Sequence, residues 1–415
     1  MNKNIKLAVA GAVLALSATA NAGIIIPAGD WTVDIGGNLN AYYTNTRFSG
    51  DMESNVRNAP SSKTANTVST GLLPAALGIG AKTRQNDLDV AFQFSFFTGS
   101  NANGADNLSN AVTSNGGLGY SSLNIRQSYL SFGDKSWGTF LLGRNLGVFG
   151  SDAILSDMTL LGVGSGAGGA GSSTLGRIGS GYLYADWKAQ IAYTTPNFNG
   201  FEATAALTEA TGQVDNSNLG YEAKASYSFA ANDVTGKVWV GGKTQDIQVN
   251  ATGNVFDATA AAGTTGGVIT EAKARAAEIG AKLAFAGAEL VGYYYDGKNS
   301  DSGIGTAINT ITGAAPVANT QRDNNGGYVQ ATYVLPTKTK IGASWGTSIV
   351  ERNGIATNLR DAEREAWIIG AYHPLTKHLN LVAEYNHLEV TSLQNAAATA
   401  EGKAKTASLG AILFF

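Results

Sequence analysis

Three histidines, His373, His378 and His387, gather near the C-terminal end of this 415-residue chain. Histidine ligates metals and moves protons near neutral pH, so such a group invites both readings. No two of them form an HxxxH pair, and two flank the turn signal Pro374-Leu375-Thr376-Lys377, so turn and surface positions suit them better than a metal site. Residues 164–169 spell GxGxxG as GSGAGG. That pattern cradles a phosphate only between a strand and a helix N-terminus, and here its neighbours are a Gly/Ala-rich loop. Cysteine is absent and no Gly-x-Ser-x-Gly elbow occurs, which leaves nucleophilic catalysis without support. The reading is a protein that is not an enzyme and holds neither metal nor cofactor.

Composition points elsewhere. Charged residues make up 14% of the chain, against about 25% in ordinary globular proteins. Such a chain needs a solvent other than water over part of its surface, or an unusually large core. The N-terminal 22 residues supply a destination: Lys3 and Lys6, an apolar run from Leu7 to Ala18, then Ala20-Asn21-Ala22. This order is that of a cleavable secretory signal peptide. The apolar run, at about 12 residues, is short for a bilayer span. A single domain over 23–415 is then expected, with 26 basic residues left against 31 acidic ones once the two lysines are removed. The balance argues against nucleic acid as a partner.

Period decides the class. From Trp31, one parity carries Trp31, Val33, Ile35, Leu39, Ala41 and Tyr43, and the other Thr32, Asp34, Asn38, Asn40 and Tyr42. Leu88, Val90, Phe92, Phe94 and Phe96 alternate with Asp89, Gln93 and Ser95; residues 278–285 and 379–388 behave alike. Strict alternation marks strands, whose successive side chains point to opposite faces. EAKARAAEIGAKLAF has a helical composition, yet its apolar positions recur at two, which favours a strand from about Glu278 onward. Short turns near 196–200, 335–338 and 374–377 contrast with long polar connections at 49–66, 99–120, 162–174, 250–270, 299–325 and 391–403. This sorting predicts an all-β fold: a transmembrane antiparallel up-and-down β-barrel with short periplasmic turns and long extracellular loops. The residues available fit about 16 strands, with 14 to 18 open, and about 16 strands enclose an aqueous channel. The terminal TASLGAILFF sets Ala407, Leu409, Ala411, Leu413 and Phe415 on one face, as a closing strand pairing with the strand near Trp31.

Residues 121–164 read SSLNIRQSYLSFGDKSWGTFLLGRNLGVFGSDAILSDMTLLGVG. This stretch resembles the general porins of the Gram-negative outer membrane, of the trimeric 16-stranded type, with an arginine on the fourth strand, a fifth strand like GTFLLGRN and an Asp-containing third loop. YTTPNFNGFEATAAL at 193–207, Lys-bearing turns at 335–340 and 374–378, and Phe415 are also similar. The resemblance implies a third loop folded into the pore, where loop acids face basic wall residues across a constriction. On that pattern Arg126 and Arg144 are wall residues, Asp157 is a constriction acid and Asp152 lies nearby. Ala76 stands where a wall arginine aligns, with Lys82 and Arg84 further along at the same parity. Leu161 replaces a second loop acid, Asp34 and Asn38 stand where a lysine is looked for, and Arg177 and Lys188 compete for another wall position. Arg126, Ser128 and Leu130 share a face in a strand that alternates poorly, as a wall against a neighbouring subunit can.

The function implied is passive diffusion of small hydrophilic solutes and ions through the outer membrane. The alternative is a closed barrel whose long loops serve adhesion or act as a phage receptor. Expected partners are two further copies in a homotrimer, outer-membrane lipid and lipopolysaccharide, and the barrel assembly machinery, which reads the terminal Phe415.

Overall fold

The alternating segments form strands, and all of their pairings are antiparallel. The computed structural model describes residues 23–50, 63–99, 123–165, 173–209, 218–249, 270–298, 321–353, 361–394 and 398–415. The expected leader at 1–22, most of the long connections and the latter part of the GSGAGG segment lie outside these residues. In chain order the strands are β1 (Ile24–Ala28), β2 (Trp31–Gly50), β3 (Thr64–Ser69), β4 (Ala75–Gln85), β5 (Leu88–Thr98) and β6 (Asn124–Asp134). Then come β7 (Gly138–Leu146), β8 (Trp187–Thr194), β9 (Phe201–Thr208), β10 (Gly220–Ala231), β11 (Val234–Val249) and β12 (Thr270–Phe285). The last six are β13 (Ala288–Lys298), β14 (Gln321–Val334), β15 (Lys340–Asn353), β16 (Ala362–Pro374), β17 (Leu379–Gln394) and β18 (Ala398–Phe414).

These strands make a closed barrel of sixteen staves. β3 and β4 lie in line along β2 and act as one stave. β1 pairs with Trp31–Ile35 of β2, in line with the end of β18. The seam is the pairing of β18 with β2, running from Phe414 opposite Asn38 to Gly402 opposite Gly50. The seam closes the sheet on itself, and along it the backbone hydrogen bonds are met between strands, as hydrocarbon requires.

Alternation sorts the two faces as the sequence implies. Leu39, Tyr43, Phe94, Ile279 and Leu409 point outward and are exposed, while Asn40, Tyr42, Gln93, Ser95, Glu278 and Ser408 point inward and are buried. At the short-turn end, Asn86 and Asp87 both have positive φ, 49° and 61°, the backbone of a two-residue hairpin whose twist matches its strands.

Two local readings change. The strand expected from Glu278 begins at Thr270, because the whole stretch is zipped to β11, from Glu271 opposite Gln248 to Phe285 opposite Val234. Ladder bonds and the burial of Ala274 and Ala276 inside the barrel outweigh the helix preference of alanine. The inward turn of Arg126 in the poorly alternating β6 has a local cause. Ser95 pairs with Gln127 and the next residue, Phe96, with Ile125, so Arg126 is the extra residue of a β-bulge. A bulge flips the parity beyond it, which turns both Arg126 and Gln127 inward.

Candidate pore constriction

The segment 147–186 joins β7 to β8, and its described parts, 147–165 and 173–186, run inside the barrel. Its base is closed by the Gly147 amide, which donates to the Asp186 carbonyl at 2.8 Å. Gly150, at φ 79°, leads into a short helix, α1 (Ser151–Ser156), followed by a 3-10 turn over Met158–Leu161. A loop in a lumen must satisfy its backbone without a ladder, and here wall side chains do so stave by stave. Glu222 on β10 accepts from the Val148 and Phe149 amides at 2.7 and 3.0 Å. Glu278 on β12 accepts from the Gly150 amide at 3.0 Å and the Tyr293 hydroxyl at 2.8 Å. Gln330 on β14 accepts from the Met158 amide at 2.7 Å and donates to the Ser156 carbonyl at 2.9 Å. Glu384 on β17 accepts from the Val163 and Gly164 amides at 3.1 and 2.6 Å and from the Tyr372 hydroxyl at 2.7 Å. Across the seam, the Tyr42 hydroxyl donates to the Leu161 carbonyl at 2.9 Å.

At Gly162 the loop meets the break between β3 and β4. The Leu72 amide donates to the Gly162 carbonyl at 3.0 Å, and a Cβ at Gly71 would overlap that same carbonyl. The second stave is therefore interrupted where the loop docks on it. Underneath, Phe149, Ile154 and Tyr182 of the loop pack against the inward rings of Trp239, Tyr293 and Tyr328. The loop is thus fastened by carboxylates and seated on an apolar bed.

Asp157 ties the outgoing limb of the loop to the returning one. Its side chain accepts from the Thr159 amide at 2.9 Å, the Arg177 amide at 3.2 Å and the Tyr182 hydroxyl at 2.8 Å. Asp157→Asn keeps one acceptor oxygen and replaces the other with a donor, so the three donors are no longer all met. We expect a loss of about 1–2 kcal/mol, the scale of one unpaired buried hydrogen bond, read as a lower melting temperature of the detergent-purified barrel. Unchanged melting would exclude the tie.

Asp152, in the first turn of α1, meets two wall lysines: Lys224 at 2.8 Å and Lys237. Burial would raise its carboxyl, but the two ammonium groups overcome this and hold it below its ordinary range. Asp152, Asp157 and Arg177 all lie on the loop, but only the last two meet, through the Arg177 amide. Arg177 belongs to the returning limb and not to the wall. It donates to Ser344 Oγ at 2.5 Å and to the Ser180 and Ala366 carbonyls, each at 3.2 Å. Lys188 is the wall residue of that pair of candidates, buried on β8 against Glu222.

Arg126 lies at the base of the loop with its guanidinium 4.7 Å from the Phe97 ring and 6.0 Å from that of Trp187. Ala76 packs in the same group of side chains, so an apolar cluster fills the place aligned with a wall arginine. Arg144 is set apart. It pairs in register with Ser128 and Ala189, on the face of Leu130, Leu142 and Ile191. Asn145, which accepts from Gln127 at 2.9 Å, and Lys188 occupy the other face. Alternation therefore sends Arg144 outward and away from the lumen, because the bulge that turns Arg126 inward breaks the parity linking it to Ser128. Lys82 and Arg84 sit near the short-turn mouth. There Arg84 pairs with Asp89 at 2.9 Å and Asp134 at 2.8 Å, and neither residue joins the loop cluster.

Sequence reading missed the anchors Glu222, Glu278, Gln330 and Glu384 and the lysines that meet Asp152. Their signal was a lone acid or amide on the lumen parity of a strand, at a depth where a charge needs a partner.

No curated protein sequence matches the chain in a comparison. Among solved structures, outer-membrane OmpT of Vibrio cholerae superposes with a TM-score of 0.59 at 15% identity, covering 94% of this chain and 100% of that one. The outer membrane channel DcaP of Acinetobacter baumannii gives 0.56 at 11%, covering 94% and 99%. Salmonella typhi OmpF, in complex with daunomycin, gives 0.56 at 14%, covering 94% and 100%. At such identities these likenesses concern the fold. The family model described as Gram-negative porin matches residues 7–393. With the closed barrel and its in-folded third loop, that match makes the chain an outer-membrane protein that belongs to the Gram-negative porin family.

Proposed function

We propose that the barrel is a water-filled pore through which small hydrophilic solutes and ions diffuse passively, narrowed by residues 147–165 and 173–186. One observation carries this reading: inward-facing charges remain wet. The side chains of Lys237 and Lys282 are 33% and 35% exposed, although both point into the lumen. Charged groups inside a barrel are tolerated where they face a water-filled cavity. Ion preference is assigned to Asp152 with Lys224 and Lys237 and to Arg126 at the base of the loop, since opposed charges in a narrow lumen order ions and dipolar solutes. Asp157 and Arg177 act there by shaping the loop, and Lys82 and Arg84 by charging the short-turn mouth.

The working unit is proposed to be a homotrimer seated among lipid and lipopolysaccharide. Residues 1–22 are removed on export, and Phe415 is read by the assembly machinery. The trimer form recorded for V. cholerae OmpT supports the first of these by likeness.

Planar-bilayer recording tests the pore. Stepwise conductance is expected, and a folded, electrically silent barrel would favour the loop-binding alternative instead. Asp152→Asn frees two lysines and is expected to move the reversal potential in a salt gradient toward anions by several millivolts. Because those lysines hold the carboxyl below its ordinary range, its charge is present at neutral pH and lost only as pH falls below that range. An unchanged reversal potential removes Asp152 from the selectivity cluster.

A further inference from the structure

Two cations stand side by side on the outer wall. Arg47 of β2 and Lys405 of β18 lie directly opposite each other across the seam, and His387 of β17 lies opposite Lys405 on its other side. The next pair back, Thr46 and Thr406, is buried on the inner face, with the two hydroxyls hydrogen-bonded at 2.8 Å. Alternation therefore sends Arg47 and Lys405 outward, and both are exposed. Like charges directly opposite each other are unfavourable, and among the described residues neither of these has a hydrogen bond or an ion pair. Other outward cations toward the same end do have an acid: Lys273 has Asp246 at 2.9 Å, Lys298 has Asp323 at 3.4 Å and Lys403 has Glu389 at 2.9 Å.

The surroundings set the height of the pair in the membrane. Four residues toward the short-turn end, Tyr43 and Leu409 face each other on the same outer wall, both exposed. Trp367 stands opposite His387 and stacks on it with ring centroids 5.5 Å apart. Tryptophan and tyrosine mark the boundary between hydrocarbon and headgroups, which puts Arg47 and Lys405 at headgroup height, at the end of the long connections. A phosphate matches two adjacent cations there. It accepts from the guanidinium fork through two oxygens and keeps a third for the ammonium. We propose that Arg47 and Lys405 hold a phosphate of an outer-leaflet glycolipid, whose acyl chains run down the wall past Tyr43 and Leu409.

This rests on the seating among lipopolysaccharide and names the residues that would hold it, and it is measured without current. The detergent-purified protein is mixed with bisphosphorylated lipid A, or with the same lipid stripped of its phosphates, and bound lipid is counted by native mass spectrometry. The wild type is expected to prefer the phosphorylated form. Arg47→Gln/Lys405→Gln should bind that form about twenty-five-fold more weakly, roughly fivefold for each cation, and the stripped form as before. Equal binding of both lipids by the wild type overturns phosphate recognition, and an unchanged affinity in the double variant overturns the site. Lys273→Gln removes an outward cation that already has Asp246, and an equal loss there would reduce the effect to general charge and overturn the site too. Inorganic phosphate at the lipid's own concentration should not displace it, because the free ion lacks the acyl contact; displacement overturns the lipid assignment. If the double variant does not fold, the single variants decide, and wild-type affinity in both overturns the proposal. A wild type that binds neither lipid overturns the seating itself. A conducting barrel with no Arg47-dependent binding sinks the lipid site alone; a silent barrel that keeps it sinks the pore alone.

Discussion

Glu384→Ala is expected to lower the unfolding free energy of the barrel by about 3–5 kcal/mol and to make its open-channel current noisy. The carboxylate is buried and accepts from Val163, Gly164 and Tyr372. Alanine leaves two backbone amides and a phenol unmet in a site that water fills poorly. Each unmet group costs about 1–3 kcal/mol, and losing a desolvated charge offsets part of the sum. The unfastened part of the loop is the segment that meets the break in the second stave through Gly162 and Leu72. Its release should therefore appear in the current as rapid flicker. Glu384→Gln keeps an acceptor oxygen and should lose less than half as much stability. Urea unfolding in detergent and single-channel recording check the two halves. A quiet channel of wild-type stability in Glu384→Ala would show that the loop is held elsewhere.

Lys188→Met should be as damaging, through a buried carboxylate that loses its hydrogen-bonded counter-charge. Lys188 and Glu222 form an ion pair with side chains 3% and 2% exposed, and the other Glu222 oxygen accepts from Val148 and Phe149. Removing the ammonium leaves the carboxylate in low dielectric, a loss of about 3–5 kcal/mol. The double variant Lys188→Met/Glu222→Gln should recover most of it, because a neutral amide can still accept from both amides without carrying a charge. A double variant as weak as the single one would place the damage in packing and not in electrostatics. Unfolding midpoints of the two variants in urea separate these outcomes.

Much of this could be read from residue order. The staves of β2, β5, β17 and β18 follow directly from alternation, since a wall between lipid and lumen imposes a period of two on every strand that crosses it. Register did the rest where composition misled, as at Ala274 and Ala276, which alone suggest a helix. The inner loop was legible only by resemblance. Arg126 and Arg144 show the limit: both look like wall arginines, yet one extra residue in β6 sends the first inward, while Arg144 pairs on the outer face. A bulge has no reliable signature in one strand, because it is defined by a mismatch with another.

The chain by itself therefore determined the barrel, its closing seam between the C-terminal strand and the strand near Trp31, and the sorting of short turns from long connections, because these depend on local period and on turn chemistry. Only the tertiary structure decided which charges meet. Asp152 reaches Lys224 and Lys237, and Glu384 reaches Val163, across separations that no spacing rule spans. The reason is geometric. A loop that crosses a lumen can touch any stave, and its path is set by the sum of many weak contacts on a curved wall, whereas a strand can touch only its neighbours.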